Sequence, residues 1–212
     1  MWQSIVTYLM ENKDAFLIQV RDHLVISLLA LAIACLIGIP LGYLASKNPR
    51  SEKWISGPFQ VLRVIPSLAI LVLLIPVMGV GIAPALTALT ILAIPPVLLN
   101  TTVAFKEVPS FMIECAQGIG MNDKQVLHKV RIPLAMPTIL AGIRTSLVEV
   151  IASAALTAKI GAGGLGEIIF TGLGLNRMDL LVLGGVSVAI LSLGCGLLFD
   201  LITRRILRYK YV

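Results

Sequence analysis
Residues 64–105 include no charged side chain. A helix crosses a bilayer with about 20 mostly apolar residues, so this run is long enough for two crossings. Met78-Gly79-Val80-Gly81 near its middle supplies the turn between them. Three further stretches fit the same template: residues 24–46 and 180–202, and residues 137–158, which hold only Arg144 and Glu149 as charged groups. The sequence therefore predicts an all-α polytopic membrane protein with about five transmembrane helices. Composition agrees. The chain is 58% hydrophobic and 13% charged, with a mean hydropathy of +0.96, against about 45–50% and about 25% in soluble domains. Disorder, a coiled coil, a collagen-like chain and an ordinary soluble enzyme are excluded.

The expected organisation is one transmembrane domain over residues 1–212. Residues 1–23 mix acids and bases and read as an interfacial segment rather than a cleaved signal peptide, which has a basic start and a shorter apolar core. Residues 24–202 form the membrane core, with a loop at about 106–136. Residues 203–212 form a basic tail. Placing the loop between spans one and two in the cytoplasm puts 13 of the 17 basic residues on that side: Lys47, Arg50, Lys53, Arg63, Lys106, Lys124, Lys129, Arg131, Arg144, Arg204, Arg205, Arg208 and Lys210. Only Lys13, Arg21, Lys159 and Arg177 fall outside. The positive-inside rule selects this orientation, with the N-terminus outside and the C-terminus in the cytoplasm. The net charge of +6 then needs no nucleic acid. Cys35, Cys115 and Cys195 lie far apart and form neither a disulfide framework nor a metal site.

The loop at 106–136 is the most structured of the connections. Pro109-Ser110 suits a helix start, and Gly118 can end that helix. Asn122 with Gln125 three residues on reads as a capping box opening a second helix, and Pro133 is expected to stop it. Phe111, Met112, Cys115 and Ile119 share helical spacing and could present an apolar knob. Small residues at Ala116, Gly118 and Gly120 would let a partner's backbone come close. A DNA-binding helix-turn-helix is the competing reading, but about 30 residues tethered to a bilayer leave no room for a supporting core.

Glu114-Cys115-Ala116-Gln117-Gly118 followed by Ile132-Pro133 resembles the coupling motif of ABC importer permeases, with cysteine where that family usually has alanine. The resemblance extends over about residues 20–205. It is greatest to the permeases for osmoprotectants such as glycine betaine, carnitine and choline, through Arg63-Val64-Ile65-Pro66-Ser67-Leu68-Ala69, Ile94-Pro95-Pro96-Val97-Leu98-Leu99-Asn100-Thr101 and Leu156-Thr157-Ala158-Lys159-Ile160-Gly161-Ala162-Gly163-Gly164-Leu165-Gly166. Methionine-type importers share the topology. The resemblance implies a type I importer fold and a permease subunit of an ATP-driven uptake system in the bacterial inner membrane. Its coupling segment, Glu114, Cys115, Ala116, Gly118, Gly120, Ile132 and Pro133, would seat in an ATPase subunit. A solute-binding protein would dock on the outer side.

The chain has no P-loop, whose lysine and backbone amides must cradle phosphates. It is therefore not expected to be an enzyme or to hold a cofactor, and ATP would be used by a partner ATPase. Gly161 to Gly166 matches GxGxxG, but it follows a membrane span, and Val186 stands where a ribose-binding acid would be. Gly161, Gly163, Gly164 and Gly166 are instead candidates for a compact outer gate, with residues 165–171 as a short helix. Thr138, Gly142, Thr145, Glu149, Ser153 and Thr157 recur at helical spacing on span four. Thr145, Glu149, Ser153 and Thr157 are the candidates for the translocation path, because an ionisable residue at membrane depth normally faces protein or water. A structural hydrogen bond is the alternative role for Glu149, and Arg144 is expected only to snorkel. Gly38 and Gly42 form a GxxxG packing pair. No aromatic cage for a quaternary ammonium can form in the core, so tight solute selection would lie in the binding protein. Five helices enclose too little space for a guarded path, so a second permease subunit, identical or related, is expected. A secondary transporter or a channel would need symmetric halves or a ring of charges, neither of which is evident.

Overall fold
The computed structural model describes residues 2–207, and within them every regular element is helical. The first helix, α1 (Trp2–Glu11), is followed by α2 (Lys13–Ala45), 33 residues long. Of the expected interfacial segment, residues 2–11 form the separate helix α1. Residues 13–23 continue into span one, because no helix breaker separates them from the apolar run.

The connection after α2 holds a helix that hydropathy alone did not disclose, α3 (Pro49–Leu62). Asn48 caps it by accepting from the Ser51 N–H at 2.8 Å, and Pro49 occupies the first turn, where a missing N–H costs nothing. Next comes α4 (Ser67–Met78), at 96° to α3. Pro66 causes the break: it lacks a donor and disfavours a helical conformation in Ile65. At 12 residues α4 is too short to cross a bilayer alone. The second expected span is therefore a bent pair, beside four helices long and apolar enough to cross a membrane. The Gly79–Gly81 turn falls where expected, with φ of 77° and 113° at the two glycines.

At the centre stands α5 (Ile82–Lys106), the most buried of the long helices, which runs through Pro95 and Pro96. Its main neighbour is α2. Ala30, Ala34, Gly38 and Gly42, at steps of four, form a buried small-residue ridge on α2. A Cβ on Gly42 would stand 2.6 Å from Thr101 Cβ and 2.7 Å from the Leu98 carbonyl oxygen. The Thr102 hydroxyl, which donates to the Leu98 carbonyl at 2.9 Å, shares that proton with the Gly42 carbonyl at 3.3 Å. On an adjoining face of α5, and also touching α2, packs α8 (Ile132–Ala154). Gly142 meets Asn100 there, and Ser146 donates to the Ala93 carbonyl at 2.9 Å. The last long helix, α10 (Met178–Ile206), lies on α8 and on α9 (Gly166–Gly174). Its Ile190, Leu193, Leu197 and Leu201 stay exposed, as a lipid-facing surface requires. Residues 203–206 of the expected tail belong to α10, and residues 208–212 lie outside the described residues.

Gly42→Ala should lower thermal stability in detergent by roughly 1–3 kcal/mol through overpacking. Gly194→Ala, with nothing within 4 Å of the added carbon, should be neutral or stabilising by up to about 1 kcal/mol. Equal unfolding temperatures for the two variants would contradict the close α2–α5 seam.

Candidate functional site
Two helices build the loop at one end of the bundle: α6 (Ser110–Gly118) and α7 (Asp123–Val126). Gly118 is the last helical residue of α6 rather than its left-handed stop. That role falls to Gly120, with φ 87°. The Gly120 N–H reaches the Gln117 carbonyl at 2.9 Å and the Met121 N–H reaches the Ala116 carbonyl at 3.1 Å, the paired bonds of a Schellman ending. The capping box is complete: Asn122 accepts from the Gln125 N–H at 3.0 Å, and Gln125 accepts from the Asn122 N–H at 2.9 Å.

Pro133 does not end the second helix. A π-helical turn, Leu127–Arg131, carries the chain from α7 directly into α8. Proline within an α-helix clashes with the carbonyl four residues before it. The wider turn, in which the Ile132 N–H reaches back to the Leu127 carbonyl, admits Pro133 in the first turn of α8 without stopping the chain. The second loop helix and span four are thus one continuous rod, with α6 joined to it through the Gly120 turn.

The loop is anchored by Ile113, Leu127 and Ile132 against Phe105, Ala135 and Tyr43. The Arg131 guanidinium lies 5.9 Å from the Phe105 ring centroid. On the outer side of α6, Phe111, Met112 and Ile119 are exposed, with Ile119 at 77%, and Glu114, Cys115 and Gly118 share that surface. Ala116 is buried and not available to a partner, whereas the Cα positions of Gly118 and Gly120 face open space.

At mid-span the expected stripe divides. Thr145 and Glu149 are exposed and Ser153 is half-buried, but Thr157 is buried and donates to the Ala154 carbonyl at 2.7 Å. The cause is a change of helix type. Residues Ala155–Ile160 form a 3-10 helix, whose three-residue turn rotates Thr157 away from the line of α8. The partner of Glu149 is Arg63, at 3.7 Å, reaching in from the break between α3 and α4. In the sequence Arg63 counts only as one of the basic residues on the cytoplasmic side. The two charges sit in an open cavity of 450 Å³ lined also by Pro66, Ser67, Leu92, Pro95 and Ser153. Arg144 does more than snorkel: its Nε lies 2.6 Å from an Asp200 carboxylate oxygen, joining α8 to α10.

The glycine-rich segment at the other end of span four is compact. Gly161, Gly163 and Gly164 have φ of 77°, 79° and 82°, a region open to glycine at little cost. Gly164 lies against His23 of α2, where an added Cβ would be 3.1 Å from the ring Nδ1. Gly166 packs so closely on the Ala155 carbonyl that no Cβ fits. Further ties are the His23 Nε2 contact with the Ile151 carbonyl at 2.8 Å, the Gln19 Nε2 donation to Glu167 at 3.0 Å, and the Gly81 N–H bond to the Ile160 carbonyl at 2.7 Å. The expected short helix is α9, beginning at Gly166.

A bundle of apolar helices with a charged cavity at mid-span and an exposed apolar knob at one end has the form of a multi-pass transport subunit worked from outside the membrane. The sequence assigns it more closely: the chain belongs to the family of binding-protein-dependent transport system inner membrane components, which it matches over residues 22–208. It is 44% identical to the carnitine transport permease protein OpuCB of Listeria monocytogenes, covering 90% of this chain and 87% of that one. It is 38% identical to the choline transport system permease protein OpuBB of Bacillus subtilis, covering 89% and 87%. The fold is similar to that of the MetNI methionine ABC transporter in an inward-facing conformation, with TM-score 0.76 at 24% identity over 92% of this chain and 95% of that chain. It is also similar to an amino acid ABC transporter with histidines, with TM-score 0.78 at 20% identity over 94% and 97%.

Thiol labelling checks the loop. A polar maleimide should modify Cys115 of the purified permease within minutes and leave Cys35 and Cys195, which sit among apolar side chains of the bundle, until denaturation. Labelling of all three at one rate would contradict the exposed α6.

Proposed function
We propose that this chain is the permease subunit of an ATP-driven importer for quaternary-ammonium osmoprotectants such as glycine betaine, carnitine and choline. The observation that carries the reading is the rigid lever. An exposed apolar α6 is locked by a Schellman ending and a capping box to a helix that continues without interruption into the span bearing Glu149. Force applied at α6 by an ATPase subunit is transmitted to the cavity wall as a tilt or rotation of one stiff element. Family membership and the carnitine and choline for which the similar permeases are named support the solute class.

In this reading the knob of Phe111, Met112, Cys115 and Ile119 docks in a groove of the ATPase, with Glu114 at its rim. Gly118 and Gly120 allow close backbone approach, and Ile132-Pro133 begins the transmitting span. The knob end faces the cytoplasm, the direction in which the basic residues are biased even after Arg63 is set aside. Gly161, Gly163, Gly164 and Gly166 then hold the outer mouth in shape beneath a solute-binding protein. Thr145, Glu149 and Ser153 line the path, and a second permease subunit closes its open side. Cofactor chemistry belongs to the ATPase, and lipid surrounds α10.

Reconstitution with the ATPase and binding protein should give ATP-dependent accumulation of at least one of the three solutes. Accumulation by the permease alone would overturn the reading. Ile119→Asp combined with Phe111→Asp should reduce co-purified ATPase at least about tenfold, because two buried apolar contacts are replaced by desolvated charges, while leaving the permease folded. In the intact complex Cys115 should be protected from maleimide.

A further inference from the structure
Of the ion pairs among the described residues, four close at 2.6–2.8 Å, whereas Arg63 and Glu149 stand 3.7 Å apart with both side chains nearly half exposed. Among the described residues, neither group makes a hydrogen bond. A guanidinium offers five donors and a carboxylate about four acceptor positions, so most of the capacity of both groups is free and directed into one cavity. The cavity is also polarised. Pro66 and Ser67 at its wall are the N-terminus of the 12-residue α4, which has no side-chain cap. The unsatisfied amides there add positive potential on the side of Arg63. Leu92, Pro95 and Ala152 provide apolar wall. Its 450 Å³ lies within the range of small-molecule pockets.

We propose that Arg63 and Glu149, with the α4 N-terminus, form a transient subsite for a zwitterionic solute. The carboxylate would lie at Arg63 and the α4 amides, and the methylated ammonium at Glu149 against Pro95 and Leu92. Between turnovers the loose ion pair neutralises the two charges, and a zwitterion replaces each charge's partner with one of the same sign. The charges at membrane depth are then compensated in both states, as the cost of an isolated one demands. The inference deepens the importer reading and rests on it. It acts on the rate of passage, leaving solute affinity to the binding protein.

The test uses the complete transporter in proteoliposomes, with initial uptake of radiolabelled carnitine, a zwitterion, and choline, a cation, at saturating binding protein. Arg63→Gln should lower the carnitine-to-choline rate ratio about tenfold, the scale of one charge-assisted hydrogen bond. Retained choline uptake shows that the variant is folded. Glu149→Gln should lower both rates, since both solutes carry the ammonium. The exchange R63E with E149R remakes the ion pair but opposes the α4 N-terminus, so carnitine uptake should stay depressed about tenfold. An unchanged ratio in Arg63→Gln, whether both rates fall or both persist, overturns the subsite, and so does recovery of carnitine uptake in the exchanged pair. Wild-type transporter that takes up neither solute overturns the importer reading instead, and the subsite with it.

Discussion
Every other feature depends on how closely α2 and α5 approach. Lipid tails are as apolar as leucine, so helices in a bilayer gain little from the hydrophobic effect on meeting and must associate through dispersion contacts and hydrogen bonds. Ala30, Ala34, Gly38 and Gly42 remove the side-chain layer from one side of the seam. The backbones come near enough for Gly42 to touch Thr101 and for Thr102 to donate across the interface. With α5 held this way, its adjoining face presents Pro96, Asn100 and the Ala93 carbonyl to α8, where Gly142 and Ser146 repeat the same device. The wall that bears Glu149 is therefore placed by two successive small-residue contacts, with Leu147, Val150 and Ile151 buried beside them.

That rigidity makes a local break useful. The α3–α4 pair bends by 96° at Arg63 to Pro66, and irregular backbone at membrane depth is tolerated only where protein or a water-filled cavity satisfies it. Here the break opens onto the cavity that holds Glu149. A bend imposed by one proline thus puts a guanidinium, a helix N-terminus and a carboxylate around one space, on a chain that is otherwise apolar at this depth.

The apolar runs, the Gly79–Gly81 turn, the asparagine-glutamine capping box and the exposed face of α6 were legible in the sequence, because each is a local pattern with a local cause. What escaped was non-local or depended on a small change in helix pitch. Thr157 keeps the four-residue spacing of its stripe, yet the 3-10 turn rotates it into the core. Pro133 looks like a stop, but a π-helical turn just before it makes room for the ring. Gly118 resembles a helix end, yet the left-handed residue is Gly120. Arg63 counts in the sequence only as a basic residue on the cytoplasmic side, because nothing near it marks Glu149, 86 positions away, as its partner. The N-cap pattern Asn48-Pro49 did carry a signal for α3, masked by the low hydropathy of the segment.

The π-helical turn bears directly on coupling. A proline that ended the second loop helix would have left a hinge between α7 and α8, and a hinge absorbs a push instead of passing it on. A wide turn keeps the rod continuous while satisfying the proline, and such turns favour functional positions in helices. At the far end of the same rod, the 3-10 segment and the left-handed glycines pin residues 155–166 against His23 of α2 and the Gly81 turn. The rod is thus held at the glycine-rich end and packed small-to-small at its middle, while its knob end lies exposed. In the proposed reading a pull by the ATPase acts on this exposed end, and the rod passes it to the loose Arg63–Glu149 contact at mid-length.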